Sequence, residues 1–249
     1  GPDEALVQVM ACGIDGTDLK LLDGFGYTPD LPFIMGHEVA GVVTGLGERV
    51  TDFAPGDHVI AYNFFTCGKC PFCLNHREQL CVDMSGILGA KDRNGGYAEY
   101  LVVPARQLVH VPERVPWPDA AVCCDAGITA FHAINRSRLI SGETVLIIGI
   151  GGVGSMAVQL AKADDVRVVA VEVSERKEEW AGRMGADEVL NPNTVDIAAA
   201  AHDLTDGLGA DCVIDVVGTK ATMTTGVNTL RHGGRLVVIG YTPDHYPLE

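Results

Sequence analysis

The sequence predicts an α/β chain in two parts: a β-rich domain over residues 1–125 and a doubly wound, parallel-sheet domain over residues 126–249. Three observations carry this. Up to about residue 125, short β-type runs such as Glu38–Val43 and Tyr97–Val103 are separated by Gly and Pro, the texture of a turn-rich β domain. Beyond residue 140, apolar β-branched runs alternate with amphipathic ones, which implies a parallel sheet covered on both faces. The third is a glycine string at the junction of the first such strand and helix.

Taken in order, Ala5–Val9 reads as an opening strand, and the chain reads as entered in mid-domain because a strand follows Gly1-Pro2-Asp3-Glu4 directly. The second part reads as strands at 144–148, 166–171, 188–190, 212–217 and 235–239, with helices at 153–163, 175–184, 196–204 and 221–230. A complete doubly wound sheet usually has about six strands. Five are legible before the chain ends at Glu249, so truncation at both ends is expected.

Composition sets outer bounds. Hydrophobic residues make up 47% and charged residues 20% of the 249 positions, an ordinary globular balance. No apolar run reaches the roughly 18–20 residues of a membrane span. A net charge of −15 without a basic patch argues against nucleic acid and anionic membranes as partners. Six lysines against 33 acids fit an acidic surface in a salt-rich cytoplasm, where counterions screen self-repulsion; an ordinary acidic protein is the alternative. Four of the eight cysteines fall between positions 67 and 81, which points to metal and a reducing, cytoplasmic setting rather than disulfides.

Gly149-Ile150-Gly151-Gly152-Val153-Gly154 follows the strand Val145–Ile148 and opens a helix. In that context the first glycine allows a tight turn, the second lets backbone approach a pyrophosphate, and the third allows close helix–strand packing. Glu172 ends the next strand. An acid there accepts hydrogen bonds from the adenosine ribose and repels a 2′-phosphate, so NAD is expected over NADP.

Cys67-x-x-Cys70-x-x-Cys73-x(7)-Cys81 suits a closed, structural tetrahedral Zn²⁺ site, because four thiolates leave no position for substrate. An iron–sulfur cluster is the rival metal on these residues alone.

Gly36-His37-Glu38-Val39-Ala40-Gly41-x(5)-Gly47-x-x-Val50 resembles the zinc signature of alcohol dehydrogenases in the medium-chain dehydrogenase/reductase family. Cys12–Leu19 is similar to that family's C-G-x-C-G-T-D-L segment, and Asp125–Thr129 to the segment carrying its third zinc ligand. With the cysteine cluster, Gly95–Tyr100 and the glycine string, the likeness spans essentially the whole chain. It implies a GroES-like catalytic domain over 1–125, an incomplete Rossmann NAD-binding domain over 126–249, and zinc rather than iron in the cysteine cluster. By the family's pattern one catalytic zinc is held by Asp15, His37 and Asp125, with Glu38 beside it. Asp15 departs from the usual cysteine, and the Gly-Thr-Asp-Leu register excludes Cys12. Two carboxylates and one imidazole would leave the ion nominally neutral, and Asp binds Zn²⁺ at about 2.0–2.2 Å. Alternatively Asp15 is only a turn residue in a degenerate site.

The same register makes Thr17 the hydroxyl that relays the substrate proton and Asp18 the acid that orients His37. Lys20 stands where many members carry a relay histidine. Thr129 is expected near the nicotinamide, and Lys177 joins Glu172 in the cofactor set. Cys123, Cys124 and Cys212 are expected as buried small hydrophobes, and His58, His110 and His132 as surface or packing residues. The chemistry implied is reversible hydride transfer between an alcohol or carbonyl substrate and NAD, in a homo-oligomer of the full-length protein. A polyol or sugar dehydrogenase, or a silent nucleotide-binding member, are the alternatives.

Overall fold

Strand β1 (Glu4–Gly13) buries Ala5 and Val7 and turns Leu6 and Gln8 outward, the period-two pattern of a half-buried strand. A computed structural model of the chain describes residues 1–24 and 29–247. It divides into two compact units, Gly1–Asp125 and Ala126–Glu249.

In the first unit β1 is followed by helix α1 (Gly16–Leu22), then by strands β2 (Glu38–Leu46), β3 (His58–Ala61), β4 (Ile87–Leu88), β5 (Asp92–Arg93), β6 (Tyr100–Pro104) and β7 (Leu108–His110), and by helix α2 (Trp117–Val122). Among the described residues β6-β1-β2-β3-β7 form one antiparallel sheet, and β4 and β5 a small second one. Val7, Val39, Val43, Val59, Leu88, Leu101 and Val103 fill its core. Ala120 and Ala121 of α2 lie against Ala40, where small side chains let a helix approach the sheet.

Sequence reading placed a strand from Tyr97, but β6 starts at Tyr100. The amides of Gly95, Gly96 and Tyr97 bond instead to the carbonyls of Ile34, Gly36 and Met35. A Cβ at Gly95 would come within 2.1 Å of the Gly36 oxygen, so only glycine admits this backbone contact. The contact braces the turn that delivers His37.

The second unit opens with α3 (Ile128–Ser137), followed by β8 (Thr144–Ile148), α4 (Gly152–Ala163), β9 (Arg167–Val171), α5 (Glu175–Arg183), β10 (Glu188–Leu190), α6 (Ile197–Asp203), β11 (Ala210–Asp215), α7 (Lys220–Thr229) and β12 (Leu230–Val238). The strands form a parallel sheet in the order β10-β9-β8-β11-β12. Every residue of β8 is buried. Val145 and Ile147 enter one core with Val158, Val168 and Ile214, while Leu146 and Ile148 enter another with Val169, Ile197 and Val213. Burial on both faces is why this strand reads as an unbroken apolar run. Strand order reverses between β8 and β11, the switch point at which such sheets open a ligand crevice.

Three further readings are corrected. Helix α3 escaped notice, although its buried Ala130, Ala133, Ile134 and Ser137 follow the i, i+3, i+4, i+7 rule. β12 begins at Leu230 rather than Arg235, because a bulge through Gly233 and Gly234 hides the start of the strand. Cys123 is exposed, unlike Cys124 and Cys212. Among the described residues no helix is long and apolar enough to cross a membrane.

Candidate active site

Asp15 leaves β1 in an extended conformation and caps α1. Its Oδ1 accepts from the amides of Thr17 (2.7 Å) and Asp18 (3.2 Å), while Asp18 Oδ2 accepts from the Asp15 amide at 3.0 Å. This reciprocal capping box satisfies amides that a helix start leaves unpaired. The turn role of Asp15 is thus satisfied by the capping box, and it leaves the side chain beside His37.

His37 is delivered by Gly36, whose φ is +97° and whose absent Cβ makes room for Tyr97 and Cys12. The residue is 2% exposed. Its Nε2 lies 3.4 Å from Asp15 Oδ1 and 3.7 Å from Asp125 Oδ2. A tetrahedral ion with bonds of about 2.0–2.1 Å holds its ligand atoms about 3.3–3.4 Å apart. Asp15, His37 and Asp125, all donors of mutually close atoms, thus fit a zinc-sized ion with little adjustment.

On the other side, His37 Nδ1 faces Asp18 Oδ1 at 3.6 Å. Both atoms are buried and otherwise unpaired, so a shift of a few tenths of an ångström joins them, the usual way to fix a ligand histidine's tautomer. Burial opposes a charge on His37. Even so, Asp125, Asp15 and Asp18 push its pKa up to about 12 when a proton is the only cation present. Burial also works against Asp15, but His37 and the Asp18 and Thr17 amides outweigh it and hold its carboxyl below the usual range. A buried imidazole surrounded by carboxylates is a site short of positive charge, which a divalent ion supplies.

Thr17 is half-buried, and its hydroxyl donates to Asp15 Oδ2 at 3.3 Å, at the rim of the donor group. Lys20 lies one turn farther along α1. Glu38 is 2% exposed, but its carboxylate lies over Gly13, where a Cβ would come within 1.9 Å of Oε2, and it is outside the three-residue donor group. Cys12 is likewise outside, and burial pushes its thiol up to about 12.

Sequence reasoning missed Asn63. Its Nδ2 donates to Asp125 Oδ1 at 2.8 Å. The only local signal is an amide between Tyr62 and two phenylalanines.

Cys67, Cys70, Cys73 and Cys81 converge as a second donor group. Sulfurs of Cys67 and Cys73 are 3.9 Å apart, those of Cys70 and Cys73 3.5 Å. Zn–S bonds of about 2.3 Å call for about 3.8 Å. The amides of Cys73 and Val82 pull Cys70 down to about 6, and that of Lys69 lowers Cys67, whereas burial raises Cys73 to about 11. Turn amides thus favour thiolate at two of the four sulfurs, as metal binding requires.

In the second unit Gly149 has a φ of +91°, and a Cβ on Gly154 would come within 2.0 Å of the Gly149 oxygen. Nothing lies within 4 Å of a Cβ position on Gly151. One glycine makes the turn, one packs it, and one leaves space above the start of α4, where Gly152 and Val153 present unpaired amides. Glu172 is 5% exposed and turned inward. Its Oε2 accepts from the Ile150 amide at 2.9 Å, and Oε1 from Val173 and Ser174 at 2.9 and 3.1 Å. Lys177 Nζ is 3.7 Å from Oε2. Besides any ribose contact, Glu172 therefore ties the glycine turn to the end of β9. Thr129 is half-buried in the first turn of α3.

Residues 1–113 match the model of the alcohol dehydrogenase GroES-like domain, and residues 152–248 that of the zinc-binding dehydrogenases. The chain is 38% identical to an alcohol dehydrogenase of Geobacillus stearothermophilus over 98% of its own length and 72% of the relative's. It is 32% identical to the L-galactonate-5-dehydrogenase of Escherichia coli K12, over 96% of its length and 69% of that protein's. Among solved structures, a zinc-binding dehydrogenase-type protein of Sinorhizobium meliloti 1021, bound to NADP, superimposes with a TM-score of 0.91 at 33% identity, covering all of this chain and 73% of the other. With its two donor groups and its glycine turn, the chain belongs to the zinc-dependent alcohol dehydrogenases of the medium-chain dehydrogenase/reductase family.

Proposed function

We propose that the chain oxidises an alcohol reversibly to an aldehyde or ketone with NAD, using one catalytic zinc held by Asp15, His37 and Asp125 and one structural zinc held by the four cysteines. The observation that carries the reading is the donor group of a buried His37 and half-buried Asp15 and Asp125, with the Thr17 hydroxyl beside it. Bound there, zinc supplies a Lewis acid that makes a substrate hydroxyl easier to deprotonate. Thr17 would relay rather than hold that proton, its oxygen accepting it from substrate as its own hydroxyl proton, now given to Asp15 Oδ2, passes outward to solvent water along the path on which Lys20 stands. Asp18 holds the His37 ring, and Glu38 adds a buried negative charge nearby. The glycine turn, with Gly149, Gly151, Gly152, Val153 and Gly154, grips the pyrophosphate; Glu172 and Lys177 meet the adenosine ribose, and Thr129 the nicotinamide. The negative charge at Glu172 supports NAD over NADP.

Polyol or sugar oxidation is the second reading, favoured by the carboxylate-rich donor group and the likeness to a galactonate dehydrogenase. The eight free cysteines are in keeping with a cytoplasmic setting, and a homo-oligomer is in keeping with the family. Turnover of the full-length protein across primary, secondary and polyhydric alcohols, with NAD and NADP, separates the readings. Absence of turnover in zinc-loaded protein on every alcohol would leave only the silent nucleotide-binding alternative.

A further inference from the structure

Asn63 lies two residues beyond β3 and is 2% exposed. Its backbone is held from two directions. Leu88 donates to the Asn63 carbonyl at 2.8 Å. The buried Gln107 amide spans the carbonyls on either side, donating to Tyr62 at 2.9 Å and Phe64 at 2.8 Å.

From that base the Asn63 amide reaches Asp125, 62 positions away, and donates to Oδ1 at 2.8 Å. Its own Oδ1 is buried without a partner. An orphaned buried acceptor costs free energy that leucine, close in volume, would avoid. Turning the amide over is no remedy, because oxygen would then face a carboxylate oxygen. The orientation is thus set by Asp125. Asp125 itself sits in a widened helical turn, Cys123–Gly127, with Oδ2 aimed at His37 Nε2.

We propose that Asn63 is a positioning residue: by occupying Asp125 Oδ1 it holds that carboxylate so that a single oxygen, Oδ2, is offered to the metal. The inference rests on Asp125 being a ligand, as in the proposed function. Without the amide, Asp125 is free to rotate or to present both oxygens, which changes coordination number as well as affinity. Partners of this kind typically alter metal affinity by about 10–100-fold.

The test uses full-length protein with Co²⁺ replacing the ion at the Asp15–His37–Asp125 site. Affinity is read by chelator competition and ligand geometry by visible d–d absorption, with thermal melting as the control for folding. Asn63→Leu is expected to melt close to the unaltered protein, to bind Co²⁺ about 10–100-fold more weakly and to change the band pattern. The same substitution in an Asp125→Cys background should change affinity little, since a thiolate has no second oxygen to hold. Should Asn63→Leu melt early, Asn63→Ser is read in the same two backgrounds. Unchanged affinity and spectrum in Asn63→Leu, with metal lost in Asp125→Ala, overturns the positioning role and leaves the ligand set standing. Equal losses in both backgrounds reduce Asn63 to a packing residue and also overturn it. Unchanged metal binding in Asp125→Ala removes the ligand reading, and this inference with it.

Discussion

In the proposed site Asp15 has two jobs that substitution can separate. As the cap of α1 it accepts from the Thr17 and Asp18 amides; as a metal donor it faces His37 Nε2 at 3.4 Å. Asparagine caps a helix about as well as aspartate, whereas alanine in place of a capping Asp costs about 1 kcal/mol, within a range of about 0.5–2. For a chain of this size about 1 kcal/mol corresponds to about 2–4 °C in melting temperature. In metal-free protein Asp15→Asn, which keeps the cap but gives up the charge that pairs with His37, should therefore melt lower than the unaltered chain, and Asp15→Ala, which loses the cap as well, about 2–4 °C lower still. Both should lose the catalytic zinc and turnover, because neither offers an anionic ligand, and both should bind NADH normally, since the cofactor is gripped elsewhere. Asp15→Cys should reverse the pattern, with zinc retained more tightly by the softer thiolate and activity kept, but with the lower melting point of a lost cap. Zinc content, melting of the stripped protein, turnover and NADH titration together decide the matter. Asp15→Asn with a full zinc complement and undiminished turnover would refute the reasoning and leave Asp15 only as a cap. Loss of activity in Cys12→Ser, alongside an active Asp15→Ala, would show that the ligand register is misread.

Glu172 should favour NAD by about fivefold or more, since like charges a few ångströms apart cost about 1 kcal/mol or more; equal kcat/KM with both cofactors would sink this. Because the Ile150, Val173 and Ser174 amides all depend on that carboxylate, Glu172→Ala should narrow the discrimination while weakening both cofactors, seen by NADH and NADPH fluorescence titration. Serine at any of Cys67, Cys70, Cys73 or Cys81 should remove one zinc per chain and lower the melting temperature without directly removing the chemistry. Iron with a charge-transfer spectrum at that site would overturn the assignment. Gly151→Ala should fold normally yet bind cofactor poorly, its methyl filling the open space, whereas Gly154→Ala should melt lower, because the methyl meets the Gly149 oxygen; the opposite ranking would reverse the glycine roles.

What the sequence determined by itself is what lies close together along the chain. The strand-then-glycine unit from Val145 to Gly154 was legible because one strand, one turn and one helix start make the whole device. Likewise, four cysteines within fifteen positions can close on one ion through tight local turns. Buried strands covered on both faces announce themselves as apolar runs, and the parallel sheet followed from them. Tertiary structure decided the rest. Asp15, His37 and Asp125 form no local pattern, and resemblance, rather than spacing, drew them together before the fold did. Asn63 had no comparable guide, since its role exists only through a carboxylate 62 positions away. Nor could the sequence reveal that Gly95 and Gly96 brace the turn before His37, or that Glu172 faces back into the glycine turn. The physical reason is common to all of these. A hydrogen bond or a metal bond acts over about 2–3 Å, and only the packing of distant strands settles which groups come within that reach.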